Sequence, residues 1–221
     1  MNTPHRLSAI HESLRQIEGT WGNINGMPAL IQTSQAVKAT KILGIADLSS
    51  LMRFGVKGAG AAAWLADYGI AIERPNCWST LANGGLALRL GVSEYLIEDG
   101  LSDSIVPCLA SAAYPEQVYP VLRQDLALAL WGERVLDLML QTCNINFRVL
   151  NLIENPVVLT TMIGVVVTIL PSERDGLPYY RVWCDGTFGD YFWHTLLEII
   201  QELGGGAVGL HTVLNPSVLN P

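Results

Sequence analysis

The side chains able to do chemistry are few, and their spacing withholds the common mechanisms. His5, His11, His194 and His211 never fall into HExxH or another metal-ligand spacing, so no metal site is expected. Cys77, Cys108, Cys143 and Cys184 stand far apart with no CxxC pair, which reads as free thiols in a reducing cytoplasm. There is no GxSxG elbow, and no two carboxylates have a spacing that by itself demands acid-base chemistry. The run Gly55-Val56-Lys57-Gly58-Ala59-Gly60 has the composition of a phosphate cradle but completes neither GxxxxGK[ST] nor GxGxxG. Three groups of residues remain. Asn83-Gly84-Gly85 suits a left-handed turn or a ligand contact. Arg123-Gln124-Asp125, between two apolar runs, suits an ion pair or a bridge to a partner, which makes Arg123 and Asp125 interface candidates. The aromatics Trp64, Trp78, Trp131, Trp183, Trp193, Tyr179, Tyr180, Tyr191 and Phe192 suit a core, an interface or the stacking of a planar ligand.

The elements that must position these groups follow a repeated pattern: an apolar strand-like run, a glycine, then a helix-like run. Arg53-Phe54-Gly55-Val56-Lys57-Gly58 leads into 59–68, and Leu126–Trp131 with Gly132 leads into 133–142. Gly58 and Gly132 are expected to permit a tight strand-to-helix turn. Around them, 84–90 and 94–98 have hairpin spacing across Gly91-Val92-Ser93, a helix is expected over 102–113, and a strand over 118–122. Further on, 157–170 and 179–184 read as strands around the polar turn 172–176, and 187–203 as a helix ended by Gly204-Gly205-Gly206. Helices are also expected over 7–18 and 35–43, with Gly22, Gly26 and Pro28 between them. The order is β-α-β-β-α, twice, which favours α+β architecture with antiparallel sheets and helices on one face. The expected division is a helical leader (1–44), a first half-unit (45–115), a second half-unit (116–210) and a tail (211–221).

Composition narrows the partners. The chain has 221 residues, half of them hydrophobic and 15% charged, and its mean hydropathy is +0.31. Such a surplus of apolar surface suits a subunit of something larger. A net charge of −7 with 13 scattered Lys and Arg leaves no basic stripe for phosphates, so nucleic acid is not an expected partner. The longest apolar run, 156–170, carries Thr160, Thr161 and Thr168 and is too short and polar to span a bilayer. The N-terminus has no apolar segment of signal-peptide type, and a cytoplasmic location without membrane attachment is expected.

Ile45-Ala46-Asp47-Leu48-Ser49, Arg53–Gly58 and Ala62-Ala63-Trp64-Leu65 resemble the glycine-cleavage T-protein superfamily, and within it the gamma subunit of heterotetrameric sarcosine oxidase. The likeness runs on through Pro75-Asn76, Leu88-Arg89-Leu90-Gly91, Glu94-Tyr95-Leu96, Leu122–Asp125, Trp131-Gly132-Glu133, Cys143–Arg148 and Asp190–Trp193. The resemblance implies a T-protein-like folate-binding fold of two ferredoxin-like half-units, without the C-terminal barrel of full T-proteins. It further implies a non-catalytic subunit of a complex that oxidises N-methyl or secondary amines with one-carbon transfer to tetrahydrofolate, other flavoprotein chains carrying flavin and NAD. Where T-proteins place an acidic pair after the Gly-Gly turn, this chain has Leu88 and Arg89, and an apolar side chain cannot orient an amine. Two alternatives stay open. One is a folate-binding or aminomethyltransferase-like protein in its own right, with Asn83, Arg89, Tyr95 and Glu173 lining a pteridine pocket. The other is an assembly module that has lost its ligand.

Overall fold

The computed structural model describes residues 6–34, 41–82, 84–101 and 105–214. Most of the helix expected over 35–43 lies outside these. The leader, expected to be helical over 7–18, has there the short helix α1 (His11–Leu14), and then a hairpin of β1 (Gly19–Ile24) and β2 (Met27–Thr33). The cause is the turn dipeptide Asn25-Gly26, whose φ values of 52° and 77° match the turn that joins two-residue hairpins.

Two compact units follow, and they interleave along the chain rather than succeeding one another. The first takes residues up to Ser50, Asp125–Leu150 and everything from Leu159 on; the second takes Leu51–Gln124 and Asn151–Val158. Each has its own sheet.

The second unit is the simpler. Its strands are β4 (Arg53–Lys57), β5 (Cys77–Thr80), β6 (Leu86–Arg89), β7 (Glu94–Glu98) and β8 (Tyr119–Val121), all antiparallel in the order β5-β6-β7-β4-β8. Alternation sends Phe54, Val56, Ala87, Tyr95 and Ile97 to one face. There they meet Ala61, Trp64 and Leu65 of α2 (Ala61–Ala66) and Val106 and Leu109 of α3 (Ile105–Ser111). The spacings i, i+3 and i+4 on the helices and i, i+2 on the strands make this core. On the other face Arg53 and Glu98, register partners, form a fully buried ion pair at 3.2 Å.

The first unit contains β3 (Gly44–Asp47), β9 (Leu126–Trp131), β10 (Val158–Met162), β11 (Val165–Arg174), β12 (Leu177–Cys184) and β13 (Gly206–Ala207), in the order β10-β11-β12-β9-β3-β13. Only β13 and β3 run parallel among the registers described. The helices are α4 (Val135–Thr142), α5 (Gly189–Glu202) and α6 (Leu210–Leu214). The stretch expected as one strand over 157–170 is two, because the chain reverses at Ile163-Gly164 with φ of 46° and 82°. The doubled glycine behaves as expected: Gly58 and Gly132, each between a strand and a helix, have φ of 123° and 131°. The result is an α+β fold built on antiparallel sheets.

Candidate functional site

In the second unit Arg89 and Tyr95 face one another across β6 and β7, with the guanidinium 5.5 Å from the ring centre. The guanidinium is fully engaged. It donates to the carbonyls of Ile72 (2.9 Å), Glu73 (2.6 Å), Gly91 (3.3 Å) and Val92 (2.7 Å). Arg89 thus clamps the 72–73 segment to the 91–92 turn, a fork geometry that a lysine cannot reproduce. Tyr95 is buried and its hydroxyl has no hydrogen-bond partner among the described residues. Burial raises its pKa, and the Arg89 charge opposes that rise. Arg123 belongs to the same unit and donates to Glu94 Oε1 at 2.6 Å, so its charge is spent within the sheet. Asn83 lies outside the described residues.

Glu173 and Asp125 belong to the first unit. Glu173 is exposed near the end of β11, opposite Pro178, and its charge adds to burial in pushing the Tyr180 hydroxyl up to about 12. Asp125, just before β9, acts on Cys184: burial, then Asp125, then Asp185, push that thiol up to about 12. Both effects are electrostatic ones on side chains of the same unit.

Sequence reasoning left Trp131 and Tyr179 in a pool of aromatics, and the sheet brings them together. They are cross-strand partners on β9 and β12, on the face opposite Tyr180, whose ring packs 5.5 Å from that of Phe147. Both are buried, and neither the indole Nε1 nor the phenol oxygen has a hydrogen-bond partner among the described residues. Arg174 lies 4.0 Å above the Tyr179 ring and donates to the Val213 carbonyl; two residues along from Tyr179, buried Arg181 lies 5.3 Å from the Trp183 ring. Unmatched buried donors of this kind cost free energy until a water or a ligand oxygen accepts from them. The signal was the alternation Tyr179, Arg181, Trp183, which places three polar-tipped side chains on one face.

The first unit also holds an open cleft of about 350 Å³, lined by Glu18, Thr33, Ser34, Gln201 and Gly206 among others. Among the described residues no group of three or more His, Cys, Asp or Glu is placed to hold a metal, and no helix is long and apolar enough to cross a membrane.

No protein-family model matches the sequence, and no curated protein does. Solved structures do match. The glycine cleavage system aminomethyltransferase T from Bartonella henselae superposes with a TM-score of 0.73 at 13% identity, over 94% of this chain and 60% of that one. A chain of the heterotetrameric sarcosine oxidase from Corynebacterium sp. U-96, in complex with pyrrole 2-carboxylate, superposes with a TM-score of 0.61 at 18% identity, over 78% of this chain and 93% of that one. This chain spans less than two thirds of the aminomethyltransferase and nearly all of the sarcosine oxidase chain, and at these identities what is shared is the fold.

Proposed function

We propose that this chain is a gamma-type subunit of a multi-chain complex of the sarcosine oxidase kind, acting on N-methyl or secondary amines, in which flavoprotein partners carry flavin and NAD. The observation that carries this reading is the fold shared with a chain of a multi-chain oxidase. A chain of a heterotetrameric sarcosine oxidase shares the fold of 78% of this chain with a TM-score of 0.61 at 18% identity, against 13% identity for the aminomethyltransferase. The clamp made by Arg89 supports a scaffolding role. Where T-proteins carry an acidic pair, this chain has a buried leucine and an arginine committed to four carbonyls. Co-expression of the full chain with the flavoprotein chains of a heterotetrameric sarcosine oxidase tests the reading. Stoichiometric co-elution is expected; a stable monomer alongside an intact flavoprotein overturns it.

A second reading, tetrahydrofolate binding by this chain, is favoured by the Trp131 Nε1 and the Tyr179 hydroxyl of the first unit, which are unmatched among the described residues. Tetrahydrofolate supplies a planar pterin with acceptor oxygens and a one-carbon carrier. Titration of the purified chain with tetrahydrofolate, read by tryptophan fluorescence, is expected to saturate; a linear response overturns the reading.

A further inference from the structure

Every sheet has edge strands whose outer backbone groups invite pairing, and among the described residues all of these edges but one are guarded. Pro120 interrupts β8. The outer sides of β5 and β10 are bridged, at Cys77 by Pro156 and at Met162 by Cys143. Strand β13 has only two residues, and the Thr33 hydroxyl donates to its Ala207 carbonyl at 3.4 Å. Strand β2 packs against α6, with Gly209 directly against Ile31. The outer edge of β1 is bare. Its residues are all exposed or half-buried, and none is charged or proline.

The hairpin fixes which groups that edge presents. Its two-residue turn at Asn25-Gly26 makes Ile24 and Met27 a hydrogen-bonded pair, so the next pair, Asn23 and Pro28, is not one. A proline suits that place, because no N–H is needed there. By alternation Asn23, Trp21 and Gly19 turn their N–H and C=O groups away from β2, and none of these groups has a partner among the described residues. The register shift at Thr20/Trp21 places its extra residue, Ile31, on β2, so the alternation along β1 is unbroken. Trp21 is 37% exposed, and its indole is held edge-on by the His11 ring, 5.6 Å away between centres.

The outward residues are symmetric about Trp21, and that symmetry selects the occupant. A two-fold axis beside Trp21 sets this residue against its own copy and Gly19 against Asn23, so every outward N–H meets an outward C=O. The two indoles then lie side by side on one face. On the other face Thr20 falls opposite Gly22, which has no side chain to obstruct it. Glu18, the acidic residue next to the strand, falls opposite Ile24 rather than its own copy, so no like charges oppose one another across the seam. We infer that β1 is a self-association edge, through which two copies of this chain pair antiparallel, centred on Trp21, into one four-stranded sheet. Pairing through a single short strand buries less than a standard interface, which sets the expected dissociation constant at about 10–100 µM. The inference is independent of the reading of this chain as an oxidase subunit.

Sedimentation velocity of the purified full chain, from about 5 to about 500 µM, is expected to show the average mass rising from 24.0 kDa towards twice that value. Trp21→Lys, which sets two ammonium groups against each other at the axis, is expected to weaken association at least about tenfold and to keep the thermal melt of the parent. Register is read by crosslinking in a Cys108→Ser background, Cys108 being the exposed thiol. Mild oxidation is expected to link Trp21→Cys to its own copy, because opposed Cα atoms in a hydrogen-bonded pair lie about 5.5 Å apart, within disulfide reach. Asn23→Cys, set opposite Gly19, is expected to stay unlinked. A parent that stays monomeric at the highest concentration, a dimer that Trp21→Lys leaves intact, or equal crosslinking at 21 and 23 overturns the inference. Should Trp21→Lys melt early, the crosslinks alone decide. The subunit reading survives each of these outcomes, since co-elution with flavoprotein chains tests it separately.

Discussion

Arg89 shows how a single residue can be read correctly for its importance and still lack a defined role until its neighbours are known. The sequence places a cation beside Tyr95 after a Gly-Gly turn, but not the four carbonyls that surround it, because those come from two segments that only the fold brings together. Several charge-assisted bonds to one partly buried group make Arg89→Ala costly, about 2–4 kcal/mol. Arg89→Lys is expected to recover less than half of that, since an ammonium cannot span both segments. Urea midpoints of the three proteins check this, and an Arg89→Ala protein as stable as the parent refutes the clamp. The thiols and the phenol behave differently. Burial holds Cys143 at about 11 and Cys184 and Tyr180 at about 12, above the ordinary 9.0 for thiols and 10.0 for tyrosine. All three are neutral when protonated, so the folded chain keeps protons that the unfolded chain releases above about pH 9. Stability from this source is complete below pH 9 and falls as the pH rises towards 12. Urea midpoints at pH 8.0 and 10.5 read the effect, and the drop is expected to shrink in Cys184→Ala.

At the scale of elements, legibility followed the clarity of the local signal. Strand β4 and the helix after β9 were legible because an alternating or i, i+3, i+4 pattern ends at a glycine. The 157–170 run was not, because β-branched residues continue through the reversal and Ile163 occupies a left-handed turn position that its side chain disfavours. The β1–β2 hairpin carried its Asn-Gly signal openly, yet glycines and a proline around it read as an interruption between helices. Strand β5 has four residues and too little pattern to declare itself. The glycine after β9 tests the doubled motif. Gly132 has φ of 131°, and a Cβ there would stand 2.5 Å from the Ile42 carbonyl oxygen. Gly132→Ala is expected to cost at least about 2 kcal/mol, which lowers Tm by roughly 4–8 °C in a chain of this length. Gly91, with open space around it and no left-handed φ, provides the contrast: Gly91→Ala is expected within about 0.5 kcal/mol of the parent.

At the scale of the whole molecule, the repeat predicts two consecutive half-units, 45–115 and 116–210, whereas the two larger sheets each draw strands from both stretches. Strand β3, at the start of the first half, lies between β9 and β13 in the six-stranded sheet, while β8, at the start of the second, pairs with β4 in the five-stranded one. Each half of the sequence thus lends its first strand to the other half's sheet. Nothing in hydrophobic periodicity reports this exchange, because β3 reads the same whichever sheet it joins; pairing across distant sequence is decided by tertiary packing. The exchange has a consequence for folding that consecutive halves would lack. A fragment of residues 116–210 lacks β3 and leaves β9 and β13 without their shared neighbour, and a fragment of 45–115 lacks the strand that covers the free edge of β4. Unpaired backbone along an interior position of a sheet is costly, so neither fragment is expected to unfold cooperatively on its own. Mixing 1–115 with 116–221 supplies both strands, and recovery of one cooperative thermal transition in far-UV circular dichroism is the expected outcome. Two independent transitions from the separate fragments would show that the halves fold without the exchange.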